Sequence, residues 1–509
     1  MLRSVFGYDR FRPGQQQAVD ALLARRDLLA VMPTGAGKSI CYQLPALLSG
    51  GVTLVVSPLI SLMRDQVMAL SQLGVRAAYI NSTLTPAQQQ RALQNAAAGR
   101  YKIVYVAPER LLTGAFLSFA QSAPIDYVIV DEAHCVSQWG QDFRPGYLSI
   151  APFLQALPVR PAVGAFTATA TDAVRTDVLR LIGLQDPVRV LTGFDRPNLY
   201  FEVRRPQKRD EELLAFVRAH RDASGIVYCA TRKATEEVSG MLAAHGLPVG
   251  CYHAGLPDEE RTRVQEDFVS DRLPLIVATN AFGMGIDKSN VSFVVHYQMP
   301  KDLESYYQEA GRAGRDGEPA TCLLLYRPQD VRLQNFFIDR QAEDSELSPD
   351  EQAVFTERAR IRLREMTFYA TTSGCLRRRI LAYFGEQAPE RCGNCSCCRP
   401  PQRAAGSAKD RGQARATGRR LDGTPAQEPA SQPLYRRLSA LRKQIAEEQQ
   451  ALPFLIFTNA TLREMAVHQP RTREAMLRVS GVGEAKMARY GERFVREIVA
   501  WQEEAACKS

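Results

Sequence analysis

Residues Asp27-Leu28-Leu29-Ala30-Val31-Met32 form a short apolar run, which leads into the glycine-rich segment Thr34-Gly35-Ala36-Gly37-Lys38-Ser39. The run predicts a buried strand, and the segment predicts a turn whose backbone N–H groups point at the phosphates of a nucleotide. Lys38 would reach the β- and γ-phosphates, and the Ser39 hydroxyl would bind Mg²⁺. The predicted nucleotide contacts in this turn are Thr34, Gly35, Gly37, Lys38 and Ser39. Because Met32 stands where the strict pattern has a small residue, a chance glycine-rich turn is the alternative.

A second motif, Asp131-Glu132-Ala133-His134, follows another apolar run, Tyr127-Val128-Ile129-Val130. It places two adjacent carboxylates at the end of a predicted strand. Asp131 suits a Mg²⁺ ligand beside Ser39, and Glu132 suits the group that orients or deprotonates a water molecule. Together the two motifs predict hydrolysis of ATP or a close relative, with Lys38, Asp131 and Glu132 as catalytic residues.

The composition is that of an ordinary soluble protein, with 509 residues, 45% hydrophobic and 23% charged, enough for three or four domains. The formal net charge of +9 favours a polyanionic partner such as nucleic acid. Residues 1–30 lack the pattern of a signal peptide and no apolar run reaches membrane-spanning length, so we expect a cytosolic protein without membrane association. Five of the 11 cysteines lie in core-like segments and are interpreted as reduced thiols: Cys41, Cys135, Cys229, Cys251 and Cys322.

Strand-like apolar runs alternate with helical stretches from about residue 11 to 190, which is typical of a parallel sheet in an α/β domain. Besides the two runs above, these strands are predicted at 53–56, 103–106 and 164–167. The alternation restarts after Phe194-Asp195-Arg196-Pro197-Asn198 and predicts a second α/β domain, with strands at 225–228, 275–278, 293–296 and 321–325. Residues 351–385 then predict helices, 401–432 a flexible basic linker, and 433 to the end a small all-helical domain.

The second α/β domain carries Tyr306-Tyr307-Gln308-Glu309-Ala310-Gly311-Arg312-Ala313-Gly314-Arg315. Its spacing predicts that Gln308, Arg312 and Arg315 share one helical face. Arginines there can cross the cleft between the domains and stabilise the charge that develops on a γ-phosphate. A solvated basic face with a surface ion pair is the alternative.

The set of motifs resembles the superfamily 2 helicases and, within them, the RecQ family, over about residues 5–400 and again over 433–503. Further matching segments are Phe6-Gly7-Tyr8, Phe11-Arg12-Pro13-Gly14-Gln15, Ser57–Met63, Ala107–Arg110, Phe166–Ala170 and Ala278–Asp287. The resemblance implies that Tyr8, Arg12 and Gln15 cradle adenine. It also implies an ATP-dependent DNA helicase that moves 3′ to 5′ and works in repair and recombination. The implied fold is two RecA-like parallel-sheet lobes (1–195 and 196–338), a helical zinc-binding module (339–400), the linker (401–432) and an all-α HRDC-like bundle (433–509).

The loop Ser137-Gln138-Trp139-Gly140-Gln141-Asp142-Phe143-Arg144-Pro145 resembles the aromatic-rich loop by which RecQ enzymes sense single-stranded DNA. Aromatic faces stack on bases, and an arginine adds charge or stacking. Because the loop directly follows Asp131 and Glu132, DNA bound there can reposition the carboxylates. The predicted DNA contacts are Gln138, Trp139, Phe143 and Arg144. The alternative is that Trp139 and Phe143 are core aromatics.

A cysteine cluster, Cys392-Gly393-Asn394-Cys395-Ser396-Cys397-Cys398, lies downstream of Cys375. Cys375, Cys392, Cys395 and Cys398 would form a closed four-thiolate zinc site, and the resemblance implies the same module. Cys397 is then an extra thiol that can compete with Cys398. Reduced structural thiols and a redox switch are the alternatives.

The tail resembles the HRDC domain of many RecQ helicases. Asn459 is predicted to cap a helix that begins at 460 or 461, and the turn Gly481-Val482-Gly483 is predicted to approach a phosphate. Basic residues offered as nonspecific phosphate contacts are Arg436, Arg437, Arg442, Lys443 and Lys486. A purely structural or protein-binding bundle is the rival interpretation.

Many RecQ enzymes carry a winged-helix domain before the HRDC domain, and this chain has only about 35 residues there. The linker is either an electrostatic DNA tether or a solvated spacer. We therefore predict a RecQ-type helicase that uses ATP, Mg²⁺ and Zn²⁺ on single-stranded and branched DNA. Single-stranded-DNA-binding protein and other repair proteins are candidate partners, and a monomer in the bacterial nucleoid is favoured. The alternatives are a DNA-stimulated translocase that remodels or anneals strands, an RNA helicase, and a non-enzymatic scaffold.

Overall fold

The computed structural model describes residues 1–138, 142–221, 223–283, 288–343, 348–399, 432–449 and 453–506. Within these ranges, none of the helices combines the length and the apolar character that crossing a bilayer requires. The predicted linker, Trp139 and part of the segment Ala278–Asp287 lie outside the described residues.

The first lobe is built on a seven-stranded sheet in which every pairing is parallel. Its strands are β1 (Leu28–Val31), β2 (Val52–Val56), β3 (Ala77–Ile80), β4 (Ile103–Val106), β5 (Ile125–Val130), β6 (Ala162–Thr167) and β7 (Val188–Leu191). The order across the sheet is β3-β4-β2-β5-β6-β1-β7. The inner strands are buried on both faces, as expected for a parallel sheet that is covered by crossover helices. The carboxyl ends of β1, β5 and β6 therefore lie side by side, and they carry the first two motifs.

The helices of this lobe precede or connect its strands. They are α1 (Leu2–Phe6), α2 (Gln15–Leu23), α3 (Lys38–Leu48), α4 (Ile60–Gln72), α5 (Pro86–Ala97), α6 (Gly114–Ser122), α7 (Ile150–Ala156) and α8 (Asp172–Ile182). Three 3₁₀ turns add Pro108–Arg110, Ala133–Val136 and Pro145–Ser149.

The second lobe has a six-stranded, all-parallel sheet with the order β10-β11-β9-β12-β13-β8. Its strands are β8 (Leu199–Arg204), β9 (Gly225–Tyr228), β10 (Val249–Tyr252), β11 (Leu275–Ala278), β12 (Phe293–His296) and β13 (Ala320–Leu325). Its helices are α9 (Arg209–Ala219), α10 (Arg232–Ala244), α11 (Asp258–Val269) and α12 (Leu303–Ala310).

The apolar runs identified in the sequence all form strands, and three of them have the predicted bounds in the second sheet. Four strands were not predicted: β3, β7, β8 and β10. These four are the edges of the two sheets. Edge strands are covered less completely, so their sequences mix polar and apolar residues and lose the continuous apolar signal.

The rest of the described chain is helical. Helices α13 (Pro328–Glu343), α14 (Pro349–Thr371) and α15 (Leu376–Tyr383) lead to the cysteine cluster and share a core with the lobes. The C-terminal domain has its own core and comprises α16 (Gln432–Glu448), α17 (Pro453–Ile456), α18 (Asn459–His468), α19 (Arg473–Met476), α20 (Glu484–Lys486), a π-helical turn (Met487–Gly491) and α21 (Glu492–Ala506). The predicted cap was wrong by one residue: Thr458 caps α18 by accepting from the Thr461 N–H at 3.2 Å, and Asn459 is buried.

Candidate active site and metal centre

The glycine-rich turn joins β1 to the first residue of α3, Lys38. Gly37 precedes that helix, so the unpaired N–H groups of its first turn face the cleft between the lobes, where an anion is stabilised. Gly35 has φ +83°, and a Cβ there would lie 3.4 Å from Cγ of Arg315. Lys38 Nζ donates to the Met32 carbonyl at 3.2 Å. The predicted phosphate turn is thus formed, and a lobe 2 arginine lies directly against it.

The N-terminal segment supports this turn from the other side. Arg12 Nη1 donates to the Gly35 carbonyl at 2.6 Å, and Gln15 Nε2 donates to the carbonyls of Ala36 (2.9 Å) and Gly37 (3.1 Å). Tyr8 and Arg12 line the cavity of about 340 Å³ that the turn, the carboxylates and lobe 2 enclose. Tyr8 and Arg12 therefore lie where they can meet a base, whereas Gln15 holds the turn itself.

Asp131 and Glu132 lie at the end of β5 and border the same cavity. Burial, and then the neighbouring Glu132 carboxylate, raise the pKa of Asp131 to about 7, although Lys38 opposes the shift. Glu132 has a positive φ of 47° and its N–H donates to Asp131 Oδ1 at 3.0 Å. Glu132 Oε2 is buried without a hydrogen bond among the described residues. The pair thus places two carboxyl groups side by side at the cavity that Lys38 and Ser39 also border.

A line of side chains connects Glu132 to lobe 2. Glu132 Oε2 lies 3.4 Å from His134 Nδ1, which lies 2.9 Å from Thr167 Oγ1 at the end of β6. Thr167 donates to the Thr169 carbonyl at 3.0 Å, and Gln308 Nε2 of lobe 2 donates to Thr169 Oγ1 at 3.1 Å. The carboxylates and Gln308 are therefore linked through the segment Phe166–Ala170.

The prediction that Gln308, Arg312 and Arg315 share one helical face is wrong, because α12 ends at Ala310 and both arginines lie in the turn beyond it. Arg312 is buried and its Nη1 donates to the Gly283 carbonyl of its own lobe. Arg315 instead lies against Gly35. Of the two arginines, Arg315 is the one placed at the phosphate turn, although all three side chains border the cavity.

Arg196 is a further residue at the cleft that the sequence did not single out. It lies in the junction Phe194–Asn198, and its Nη1 donates to the Thr34 carbonyl at 2.9 Å. The interpretation of that segment as a simple connection missed this contact, because its acceptors are backbone carbonyls and carry no sequence signal.

The C-terminal domain forms one wall of the same cavity, which the sequence did not predict. Its lining residues are Thr458, Ala460, Thr461, Glu464 and Ser480. The Gly481 N–H, expected to approach a phosphate, donates to the Gly7 carbonyl at 2.7 Å, and a Cβ on Gly7 would lie 2.6 Å from the Gly481 carbonyl carbon. Tyr490 Oη donates to Gln72 Oε1 at 2.6 Å, and Arg463 pairs with Glu318 of lobe 2. The domain therefore contacts both lobes.

Two of the basic side chains offered as phosphate contacts serve the fold instead. Arg442 is buried and donates to the Phe457 carbonyl at 2.8 Å. Arg437 pairs with Glu497 and Glu504 of α21. In this arrangement both guanidinium groups stabilise the bundle, and Arg442 Nη2 also lies 3.8 Å from Asp271 Oδ2 of lobe 2.

The predicted DNA loop begins and ends at fixed points on lobe 1. Ser137 is buried and donates to Asp177 Oδ2 at 2.7 Å. Arg144 Nη1 donates to the Pro58 carbonyl at 2.8 Å, and its backbone N–H donates to the Cys135 carbonyl at 2.9 Å. Gln138 is exposed and Phe143 half-buried, so both border solvent, whereas Trp139 lies outside the described residues.

The four predicted zinc ligands converge. The Sγ atoms of Cys375, Cys392, Cys395 and Cys398 all lie within 4.8 Å of one another, and those of Cys375 and Cys395 are 3.9 Å apart. A tetrahedral zinc with Zn–S bonds of about 2.3 Å separates its sulfurs by about 3.8 Å, so the set fits that ion. Cys397 lies outside the set, as predicted. The Ser396 N–H donates to the Phe201 carbonyl at 2.9 Å, which attaches the cluster to β8.

Four protein families match consecutive parts of the chain. They are DEAD/DEAH box helicase at 12–177, helicase conserved C-terminal domain at 208–317, RecQ zinc-binding at 328–399 and HRDC domain at 431–498. The first two are ATP-binding helicase domains that both contribute residues to the cavity, so the chain binds ATP. The third contains the four converging thiols, which bind Zn²⁺.

The chain is 38% identical to the ATP-dependent DNA helicase RecQ of Bacillus subtilis over 588 aligned positions, which cover 98% of both chains. It is 34% identical to the protein of that name from Haemophilus influenzae, with 98% of this chain and 95% of that one covered. A solved structure of Mycobacterium smegmatis helicase Lhr bound to ssDNA and AMP-PNP shares the fold, with a TM-score of 0.51, 22% identity, and coverage of 71% of this chain and 56% of that one. Since full-length similarity, four domain matches and the geometry of both sites agree, the chain belongs to the RecQ family of ATP-dependent DNA helicases.

Proposed function

We propose that this DNA helicase hydrolyses ATP in the cleft between its lobes and uses the cycle to move 3′ to 5′ along single-stranded DNA. The observation that supports the proposal is the close approach of the Arg315 stem to Gly35, together with the position of Arg315 on the wall of the cavity that the phosphate turn also borders. In this assignment Lys38 and the N–H groups from Thr34 to Ser39 hold the phosphates, Tyr8 and Arg12 shape the base side, and Gln15 supports it by holding the turn. Arg315 stabilises the charge on the γ-phosphate from across the cleft.

Glu132 is assigned to orient and deprotonate the attacking water, and His134 Nδ1 lies 3.4 Å from its Oε2. Gln308 and Arg312 position the lobe 2 side of the site. Gln308 does so through Thr169 and Arg312 through the Gly283 carbonyl. Closure of the lobes thereby brings the water-activating and charge-stabilising groups to one phosphate.

The residues around Asp131 fit a magnesium ion. The Asp131 carboxylate, the Ser39 hydroxyl and Glu132 Oε2, which is buried without a hydrogen bond among the described residues, supply the oxygen donors that Mg²⁺ prefers. Ser39 and Asp131 would hold Mg²⁺, which neutralises charge on the β- and γ-phosphate oxygens when it is bound.

We assign the loop from Gln138 to Arg144 to DNA contact, with Phe143 and Trp139 as stacking groups and Gln138 and Arg144 as polar contacts. Arg144 is tied to the segment after β2 through Pro58, and the loop starts directly after the 3₁₀ turn that carries His134. Displacement of the loop by a DNA strand would therefore act on the carboxylate side of the cleft.

The experiment that tests the proposal is strand displacement on a duplex with a 3′ single-stranded tail, with a 5′-tailed duplex and Lys38→Ala as controls. We expect ATP-dependent displacement of the 3′-tailed duplex only. The 588 aligned positions exceed the 509 residues of this chain, so the alignment with the Bacillus subtilis relative contains at least 79 positions that hold no residue of this chain. ATP hydrolysis stimulated by single-stranded DNA without displacement would instead favour a translocase or annealing activity. Competition of labelled DNA by RNA would decide between DNA and RNA as the track.

The proposals on the wider role rest on the helicase activity and on the bacterial sources of the two relatives described above. Branched repair and recombination intermediates are the proposed substrates, and single-stranded-DNA-binding protein is the first partner to test. We propose that the chain acts as a monomer in the cytoplasm at the nucleoid, with the domain limits given by 1–195, 196–338, 339–400, 401–432 and 433–509. Sedimentation velocity at micromolar concentration checks the monomer.

A further inference from the structure

The half-buried guanidinium of Arg196 donates to four backbone carbonyls from both lobes. Nη1 donates to Thr34 at 2.9 Å and to Gly311 at 3.3 Å, and Nη2 donates to Ala313 at 3.0 Å and to Gly314 at 2.8 Å. An arginine fork presents several N–H groups in one plane, so one side chain can serve acceptors on two separate segments.

These carbonyls belong to the two segments that must meet for hydrolysis. Thr34 begins the phosphate turn, and Gly311–Gly314 is the turn that leads from α12 to Arg315. The same two segments touch again where a Cβ on Gly311 would lie 3.6 Å from Cβ of Thr34. Arg196 therefore fixes the spacing between the phosphate turn and the backbone that carries Arg315.

The backbone of Arg196 is itself held by the zinc module. Arg377 of α15 is 5% exposed, and its Nη1 donates to the Arg196 carbonyl at 2.6 Å and to Asp195 Oδ1 at 2.5 Å. Two residues after Arg196, Asn198 Nδ2 donates to the Gly314 carbonyl at 2.9 Å, so a second side chain of the junction bonds the same turn. The side chain of Arg196 thus projects from a fixed point toward the cleft.

We propose that Arg196 is a positioning residue for ATP hydrolysis, which holds Arg315 against the phosphate turn by bonding the backbone on both sides. The proposal rests on the assignment of Arg315 to the γ-phosphate. A lysine cannot replace Arg196, because one ammonium group cannot reach acceptors spread along the fork.

The test compares Arg196→Lys, Arg315→Lys and the double variant in the full-length protein, with Arg204→Lys as the matched control. Arg204 is likewise half-buried, but it pairs with the carboxylates of Glu202 and Glu212 and does not border the cavity. We expect Arg196→Lys to lower kcat of the DNA-stimulated ATPase by about 10- to 100-fold, since a misplacement of about 1 Å can cost about 100-fold. The KM for ATP and the affinity for a fluorescent ADP analogue should change by less than about 3-fold, since uniform binding is retained.

Two results separate this inference from the assignment of Arg315. If Arg315→Lys alone hydrolyses ATP at the wild-type rate, the assignment of Arg315 fails. If Arg315→Lys is impaired but Arg196→Lys is not, the role of Arg196 alone is overturned. The double variant should be no slower than Arg315→Lys, because Arg196 acts through that arginine. The role of Arg196 would instead be generally structural if the double variant lost kcat by the product of the two single-variant factors. An equal loss of kcat in Arg204→Lys would lead to the same conclusion.

Discussion

Replacement of Asp131 by asparagine should stabilise the ligand-free protein, and increasingly so as the pH rises from 5 to 8. Burial and the adjacent Glu132 raise the pKa of Asp131 from 3.8 to about 7. A pKa raised by folding means that the folded state binds the proton more tightly than the unfolded state. The contribution of the Asp131 proton to the free energy of unfolding is therefore present in full below pH 3.8 and is lost as the pH rises through 7. Asparagine keeps the shape and can accept the Glu132 N–H, but it never ionises.

The magnitude follows from the two pKa values. Relative to a neutral side chain, ionisable Asp131 costs roughly 2 kcal/mol of unfolding free energy at pH 5 and roughly 4 kcal/mol at pH 8. The difference of about 2 to 3 kcal/mol corresponds to about 5 to 10 °C in Tm for a lobe of this size. Thermal melts of wild type and Asp131→Asn in chelator, at pH 5, 6, 7 and 8, measure it directly.

Asp27→Asn is the control, because it also neutralises a buried carboxylate of lobe 1, but one that is paired with Arg160 at 2.6 Å and accepts from the Val163 N–H at 2.9 Å. We expect that variant to melt below wild type at pH 8, opposite in sign to Asp131→Asn, because it breaks a buried ion pair. A Tm difference for Asp131→Asn that stays constant from pH 5 to 8, or a variant less stable than wild type at pH 8, would refute the reasoning.

Three further outcomes are expected. Arg463→Glu should speed release of a fluorescent ADP analogue by about 3- to 10-fold, because it turns an exposed ion pair worth about 1 kcal/mol or less into a repulsion with Glu318. Adding Glu318→Arg should restore the slow release rate. An unchanged rate in Arg463→Glu would show that the C-terminal wall does not limit exchange. Cys397→Ala should retain one zinc per chain by metal analysis, whereas Cys398→Ala should lose it, and zinc loss in Cys397→Ala would contradict the ligand set. Glu132→Gln should lower kcat for ATP by at least about 100-fold with nearly unchanged ATP affinity, and an active variant would exclude Glu132 as the base.

The sequence predicted the interior of the fold better than its borders. Strands such as Gly225–Tyr228 and Leu275–Ala278 are buried on both faces, so each reads as an unbroken apolar run. Val188–Leu191 instead alternates, with Arg189 and Leu191 exposed, because β7 has a neighbour on one side only. A four-residue alternating run beside a turn cannot be told from a loop by pattern alone.

The same distinction applies to the active site. The sequence could predict Lys38, Asp131, Glu132 and the cysteines, because these side chains carry the chemistry themselves and stand at motif spacings that seldom arise by chance. Arg196 was not, because its partners are carbonyls that every residue carries. Its role becomes visible only when the chain brings Thr34 and Gly311–Gly314 together.

The walls of the nucleotide cavity differ in the free energy needed to displace them, and we expect the least firmly held wall to open first. The two lobes and the zinc module share one continuous apolar core, and Arg196 and Arg377 add hydrogen bonds at the junction between the lobes. The C-terminal domain has a separate core and reaches the lobes largely through polar contacts, such as the pair of Arg463 with Glu318 and the N–H of Gly481 on Gly7. Exposed contacts of this kind contribute only about 1 kcal/mol each, and the more buried contact is that of Arg442 Nη2 with Asp271 Oδ2 of lobe 2 at 3.8 Å. The C-terminal wall is therefore the part of the cavity that we expect to move most easily, and we expect a nucleotide to enter or leave past it before the lobes separate.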